Sequence, residues 1–139
     1  MIGRIELRKS AIDLAIVTAM PERMTWFYRD VLGLEDLGVA ATRSTPGGSV
    51  RRLLCGNSVI KLISYADDPP LRAPQGNVTD ATGFRYLTIF VGNLLEVVGA
   101  CERADIRVVT PVKEVSTGVR IAIVEDPEGN LVEFLEGRG

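Results

Sequence analysis

Apolar residues along this chain follow two rhythms, alternation and helical recurrence, and the rhythms return in the same order. Residues 11–18, Ala-Ile-Asp-Leu-Ala-Ile-Val-Thr, are rich in strand formers with one acid among them, which predicts a strand. Pro21 opens the next stretch, with Glu22 in the first turn where the helix dipole favours an acid. Met24, Phe27, Tyr28 and Val31 then recur on one helical face until Gly33 stops the pattern, predicting an amphipathic helix over Pro21–Leu32. Residues 37–43 and 50–55 read as the strands of a hairpin closed across Ser44–Gly48. Gly56-Asn57 turns into a further strand, Ser58–Tyr65.

The composition then changes. Ala66–Thr82 holds Pro69, Pro70, Pro74 and Gly76 among polar residues and reads as a linker without structure of its own. After it the first order returns: a strand at Phe84–Val91, a helix capped by Asn93 and running to about Arg103, and a short strand at Ile106–Val109. A longer strand at Val115–Val124, a turn at Asp126–Gly129 and a last strand at Asn130–Leu135 complete it. Each half is strand, helix and three strands. A lone βαβββ unit leaves one sheet face bare, so two copies are expected to associate. The fold expected is α/β (α+β): two βαβββ modules forming a cupped mixed sheet within one domain over 1–139. Module one covers about 8–66, the linker about 67–82 and module two about 83–137.

Two motifs within this repeat carry a resemblance. Trp26-Phe27-Tyr28-Arg29-Asp30-Val31-Leu32-Gly33-Leu34 is similar to the Phe-Tyr-x-Asp-x-Leu-Gly-Leu helix end of vicinal oxygen chelate (glyoxalase-like) proteins. Asp126-Pro127-Glu128-Gly129-Asn130-Leu131-Val132-Glu133 resembles the Asp-Pro-x-Gly-Asn-x-x-Glu turn and strand of the same superfamily. That superfamily includes glyoxalases, epimerases, extradiol dioxygenases, fosfomycin-resistance transferases and bleomycin-binding proteins. The resemblance therefore implies the fold and leaves the activity open.

In the metal-using members one ligand projects from each of four strands, commonly His, Glu, His and Glu. The resemblance maps these positions onto Asp13, fourteen residues before Phe27, onto Lys61 in Gly56-Asn57-Ser58-Val59-Ile60-Lys61-Leu62, onto Tyr86 in Gly83-Phe84-Arg85-Tyr86, and onto Glu133. It implies that these four side chains share one cavity. The set departs from the family's pattern at three places of four, and the chain contains no histidine. Imidazole is the usual neutral ligand of zinc, nickel or ferrous iron, and an ammonium at Lys61 would repel a hard divalent ion. No metal and no other cofactor is expected. Lys61 could take over charge stabilisation, with Asp13 or Glu133 as base and Tyr86 as proton donor. An inert salt bridge filling the old cavity is the bland reading of the same residues.

Composition narrows the field further. Sixteen Lys and Arg stand against eighteen Asp and Glu, for a net charge of −2, and the cations are scattered, so neither nucleic acid nor an anionic membrane is an expected partner. No apolar run is long enough to span a bilayer, and Met1–Ser10 lacks the apolar core of a secretory signal. Cys55 and Cys101 lie in apolar stretches without ligand spacing and are expected to be reduced thiols in a cytoplasmic protein. Arg52, Arg120 and Trp26 are candidates for holding a ligand. Trp26 competes with a packing role, Arg120 with a solvated edge, and strand alternation sends Arg51 and Arg52 to opposite faces. Arg85 is a further cation for an anionic ligand, and the loops around 44–48 and 67–76 are candidate rims.

The leading expectation is a metal-independent enzyme of lyase or isomerase type, acting by proton transfer on a small organic acid, ketone or thioester, as a homodimer that covers its open sheet edges. The alternative is a small-molecule sequestration protein of the bleomycin-resistance kind. A chain only 6% aromatic and nearly neutral offers little to a strongly cationic drug, which favours the enzyme. A metal-dependent dioxygenase or glyoxalase is the third reading.

Overall fold

The computed structural model describes residues 3–137, so the outermost two residues at each end of the expected 1–139 domain lie outside it. The first module runs β1 (Leu14–Val17), α1 (Pro21–Thr25), β2 (Glu35–Ala41), β3 (Gly48–Cys55) and β4 (Ser58–Tyr65). The second runs β5 (Tyr86–Phe90), α2 (Leu94–Arg103), β6 (Val108–Ser116), β7 (Val119–Glu125) and β8 (Leu131–Glu136). The repeat is thus present, with the order β1-β4-β3-β2 in one sheet and β5-β8-β7-β6 in the other. In each sheet the opening strand lies parallel to the closing strand and the remaining pairs are antiparallel. This is the α+β arrangement of paired βαβββ modules that the resemblance implied. No hydrogen-bonded ladder joins β1 to β5, so the cup is built from two sheets rather than one continuous sheet.

Period-two alternation decides which side chains enter the core. In β4, Ile60 and Leu62 are buried beneath the helical segment, and Lys61 between them faces the other way. In β8, Val132 and Phe134 are buried in the same sense, which turns Glu133 to the opposite face. Met24, Phe27 and Tyr28 from module one and Leu94, Val98 and Cys101 from module two belong to one apolar cluster with these strand residues. The helical faces of both sheets therefore share a core. Burial pushes the Cys101 thiol up to about 11 and raises that of Cys55 as well, so neither is a ready thiolate at neutral pH.

Several elements differ from the sequence expectation. The helix expected over Pro21–Leu32 is α-helical only to Thr25 and continues as a π turn, Trp26–Val31, in which the Leu32 N–H donates to the Phe27 carbonyl at 3.0 Å. The wider turn lets consecutive side chains, Phe27 and Tyr28, both point inward, packed edge to face at 4.8 Å. The first strand begins at Leu14 rather than at residue 11. β6 extends through Ser116, well past the expected Val109, because Pro111 sits on an edge strand whose ladder is interrupted by register shifts. β7 accordingly begins at Val119, beyond the turn at Gly118. Asn93 precedes α2, but its side chain makes no cap bond; the Leu94 N–H instead donates to Glu136 Oε1 from β8 at 3.1 Å. The linker also carries one turn of 3-10 helix, Val78–Asp80, where the Asn77 N–H donates to the Asp80 carboxylate at 2.7 Å. No helix among the described residues is long and apolar enough to cross a membrane.

Candidate functional site

The strands that open the two modules each have one unpaired edge, and a cleft of about 710 Å³ lies between them. Ile12, Asp13, Ala15 and Val17 form one wall, Phe84 and Tyr86 the other, and Leu71 of the linker also contributes. Glu128 fixes one end. Its carboxylate accepts from Thr18 Oγ1 at 2.6 Å and from the Ala19 N–H at 2.7 Å, and it pairs with Arg72 at 3.4 Å. Gln75 Nε2 donates to the Glu128 carbonyl at 3.1 Å, so the linker is drawn onto the Asp-Pro turn. Along the sequence Glu128 is only part of a turn, and nothing local announces a bond to Thr18, 110 residues away.

Beneath Glu128, Asp126 ties the two motif segments together. Its buried carboxylate accepts from Tyr28 Oη at 2.7 Å, from the Glu128 N–H at 3.0 Å and from the Asn130 N–H at 2.9 Å. Burial raises the Asp126 carboxyl above its ordinary value, and the hydrogen bonds from Tyr28, from Asn130 and from the backbone oppose that shift. The same enclosure drives the Tyr28 phenol well up, first by burial and then by the Asp126 charge.

Of the four positions mapped from the superfamily, Asp13 and Tyr86 line the cleft. Lys61 and Glu133 are outside its lining, each one strand further in: Lys61 lies opposite Ala15 on β4, and Glu133 lies opposite Thr88 on β8. The Asp13 carboxylate accepts from Lys9 Nζ at 2.6 Å and from the Val59 N–H at 2.8 Å. Those two bonds, with Lys9 foremost, hold it below the usual carboxylate range, which makes it a weak base. Glu133 accepts from Thr88 Oγ1 at 2.8 Å, and Tyr86 is half exposed at the cleft wall.

The three ligand-holding candidates lie apart. Arg120 pairs with Glu136, whose other oxygen caps α2; both residues alternate with Ile121 and Leu135 and lie on the helical face of the second sheet. Trp26 packs against the core from the π turn and carries the Arg23 guanidinium over its ring at 4.7 Å, away from the cleft. Arg52 is exposed on the face away from α1, opposite Lys61. Its neighbour Arg51 turns to the other face and binds Asp36, which Arg29 also contacts. Arg85 spends its guanidinium on the linker carbonyls of Val78 and Asn77, at 2.9 and 2.6 Å.

The metal of the related enzymes does not fit this donor set. Two of its four positions are an ammonium and a phenol, and the chain has no imidazole to offer. Among the described residues there is no group of three or more His, Cys, Asp or Glu side chains arranged to hold an ion.

A glyoxalase family protein from Bacillus cereus superimposes with a TM-score of 0.82 at 17% identity, over 100% of both chains. A lactoylglutathione lyase from Agrobacterium tumefaciens gives 0.62 at 26% identity, over 94% of this chain and 96% of that one. TioX from Micromonospora sp. ML1 gives 0.67 at 20% identity, over 93% and 99%. No protein of curated function matches the sequence significantly. The profile of one family spans residues 11–134, both modules and both motifs. The chain belongs to the Glyoxalase/Bleomycin resistance protein/Dioxygenase superfamily.

Proposed function

We propose that this protein binds a small organic acid, ketone or thioester in the β1–β5 cleft and moves a proton on it without a metal, in an isomerisation, epimerisation or elimination. The observation that carries this reading is the cleft itself. It lies where the two module-opening strands meet, with the Tyr86 phenol on its wall and Lys61 and Glu133 one strand spacing, about 4.8 Å, beyond either edge. Lys61 supplies positive charge for a developing enolate, and Tyr86 donates the proton to the opposite side of the substrate. Glu133 is the base, because Asp13 is committed to Lys9 and Val59 and held in its ionised, weakly basic form. Asp13 instead positions β1 against β4. The lyase name of the Agrobacterium tumefaciens neighbour is in keeping with elimination on this scaffold.

A second reading, sequestration without turnover, draws on the exposed apolar side chains of Ile12, Leu71 and Phe84 around the same cleft. Both readings include a homodimer in the cytoplasm, supported by the unpaired outer strand edges and by two free, partly or fully buried cysteines.

The test is proton exchange. A panel of short organic acids, ketones and thioesters incubated with the protein in deuterated buffer should include compounds that lose their α-proton signal. A chelator should leave the rate unchanged. Lys61→Ala should abolish exchange, and Glu133→Gln should slow it by about 100-fold or more. Full exchange in Lys61→Ala would sink the assignment, and compounds that bind without exchanging would favour sequestration. A rate that collapses with the chelator would return Asp13 and Glu133 to the role of ligands.

A further inference from the structure

One transverse row of the first sheet has an unusual charge pattern. On the face away from α1, Ala15 of β1 lies beside Lys61 of β4, and Lys61 lies directly opposite Arg52 of β3. Two cations in direct cross-strand register repel one another, and such pairs cost a sheet stability unless a counter-charge lies between them. No described residue supplies one by contact. Neither Lys61 nor Arg52 makes a hydrogen bond or ion pair, whereas Arg51, the third cation within the strands of this sheet, is paired with Asp36. Asp13 influences Lys61 only through space; Lys9 and the Val59 N–H both bond its Oδ1. Glu35 shares this face one register position along, opposite Leu54, and bonds to neither cation.

The same row opens into the cleft. Ala15 is exposed and forms part of the cleft wall, and its methyl group is the smallest side chain that could stand between the cleft and Lys61 short of glycine. The cleft also exposes the apolar side chains of Val17 and Phe84 on its two walls, while Asp13, Arg72, Arg85 and Glu128 contribute charge to its lining. Exposed apolar side chains next to two uncommitted cations are complementary to a molecule with an apolar body and an anionic head.

We infer that the ligand of this site is an amphipathic carboxylate: its apolar part lies between β1 and β5, and its carboxylate crosses Ala15 to sit between Lys61 and Arg52. The inference rests on the cleft reading above and narrows its substrate class from acids, ketones or thioesters to acids. A planar carboxylate presents one oxygen to each cation across about one strand spacing, and it removes the repulsion between them. Arg52 thereby becomes a specificity-determining residue.

The experiment titrates the full chain with 4-phenylbutyrate and with its neutral isostere 4-phenylbutanamide, followed by calorimetry or amide chemical shifts. The carboxylate should bind about tenfold or more tightly than the amide, as expected for charge-assisted hydrogen bonds. Lys61→Met and Arg52→Met should each remove most of that advantage, with an unchanged far-UV circular dichroism spectrum showing that the variants are folded. Equal affinity of the two probes, or an unchanged carboxylate affinity in both variants, overturns the anion site while leaving the cleft reading intact. Binding of neither probe overturns both.

Discussion

Asp126 is the one carboxylate in the buried class among the described residues, and its charge depends on its donors. Its carboxyl is raised by burial, so its own contribution to stability is full below the ordinary aspartate range and is lost as pH rises through the raised value. Hydrogen bonds from Tyr28, Asn130 and the backbone oppose that shift and favour the ionised form. Tyr28→Phe keeps the ring and removes one donor. It should cost about 1–3 kcal/mol in urea denaturation near neutral pH, and the loss should shrink under acid conditions, where Asp126 is protonated. An equal loss at both pH values would mean that the hydroxyl does not support the ionised carboxylate. The two ends of this contact are both visible in the sequence, as the Tyr of one motif and the Asp of the other. Their 2.7 Å contact across 98 residues is not visible there, because local pattern encodes which face a side chain takes and not what it meets.

At the scale of elements, the linker behaves as a strap. Its polar, proline-rich composition predicts no structure of its own, yet three side-chain contacts tie its course: Arg72 to Glu128, Gln75 to the Glu128 carbonyl, and Arg85 to the carbonyls of Asn77 and Val78. Gly129 stands under this strap with φ +88°, and a Cβ there would run into the Gln75 amide. Gly129→Ala should cost about 1–2 kcal/mol from the left-handed backbone alone. Pushing Gln75 aside should also expose 66–82 to proteolysis under native conditions. Cleavage no faster than in the parent protein would show that Gln75 does not hold the strap. β6 illustrates the opposite kind of misreading. The strand expected to stop at Val109 runs on through Pro111, because an edge strand with register shifts absorbs a residue that cannot donate.

For the whole molecule, the two sheets are joined by their common core and by the Tyr28–Asp126 and Thr18–Glu128 bonds rather than by a β-ladder. The modules are therefore expected to unfold together. Trp26, the only tryptophan, lies in module one and packs against the shared core. Its fluorescence transition in denaturant should coincide with the far-UV circular dichroism transition, which averages both modules. Separated midpoints would show that the modules are independently stable and that the shared core contributes little.

The sequence by itself determined the duplicated order of elements, the divergence of Arg51 and Arg52, and the two motifs that mark the superfamily. Each follows from a rhythm of two or of about 3.6 residues, or from a turn whose backbone needs particular side chains, and all of these are local. Only the tertiary structure decided that two sheets rather than one make the cup and that β1 and β5 stand apart with a cleft between them. It also decided which charges are already committed: Asp13 to Lys9, Arg120 to Glu136, Arg85 to the linker, with Lys61 and Arg52 left unpaired. Those choices depend on side chains brought together from distant parts of the chain, and no periodicity along the sequence records them.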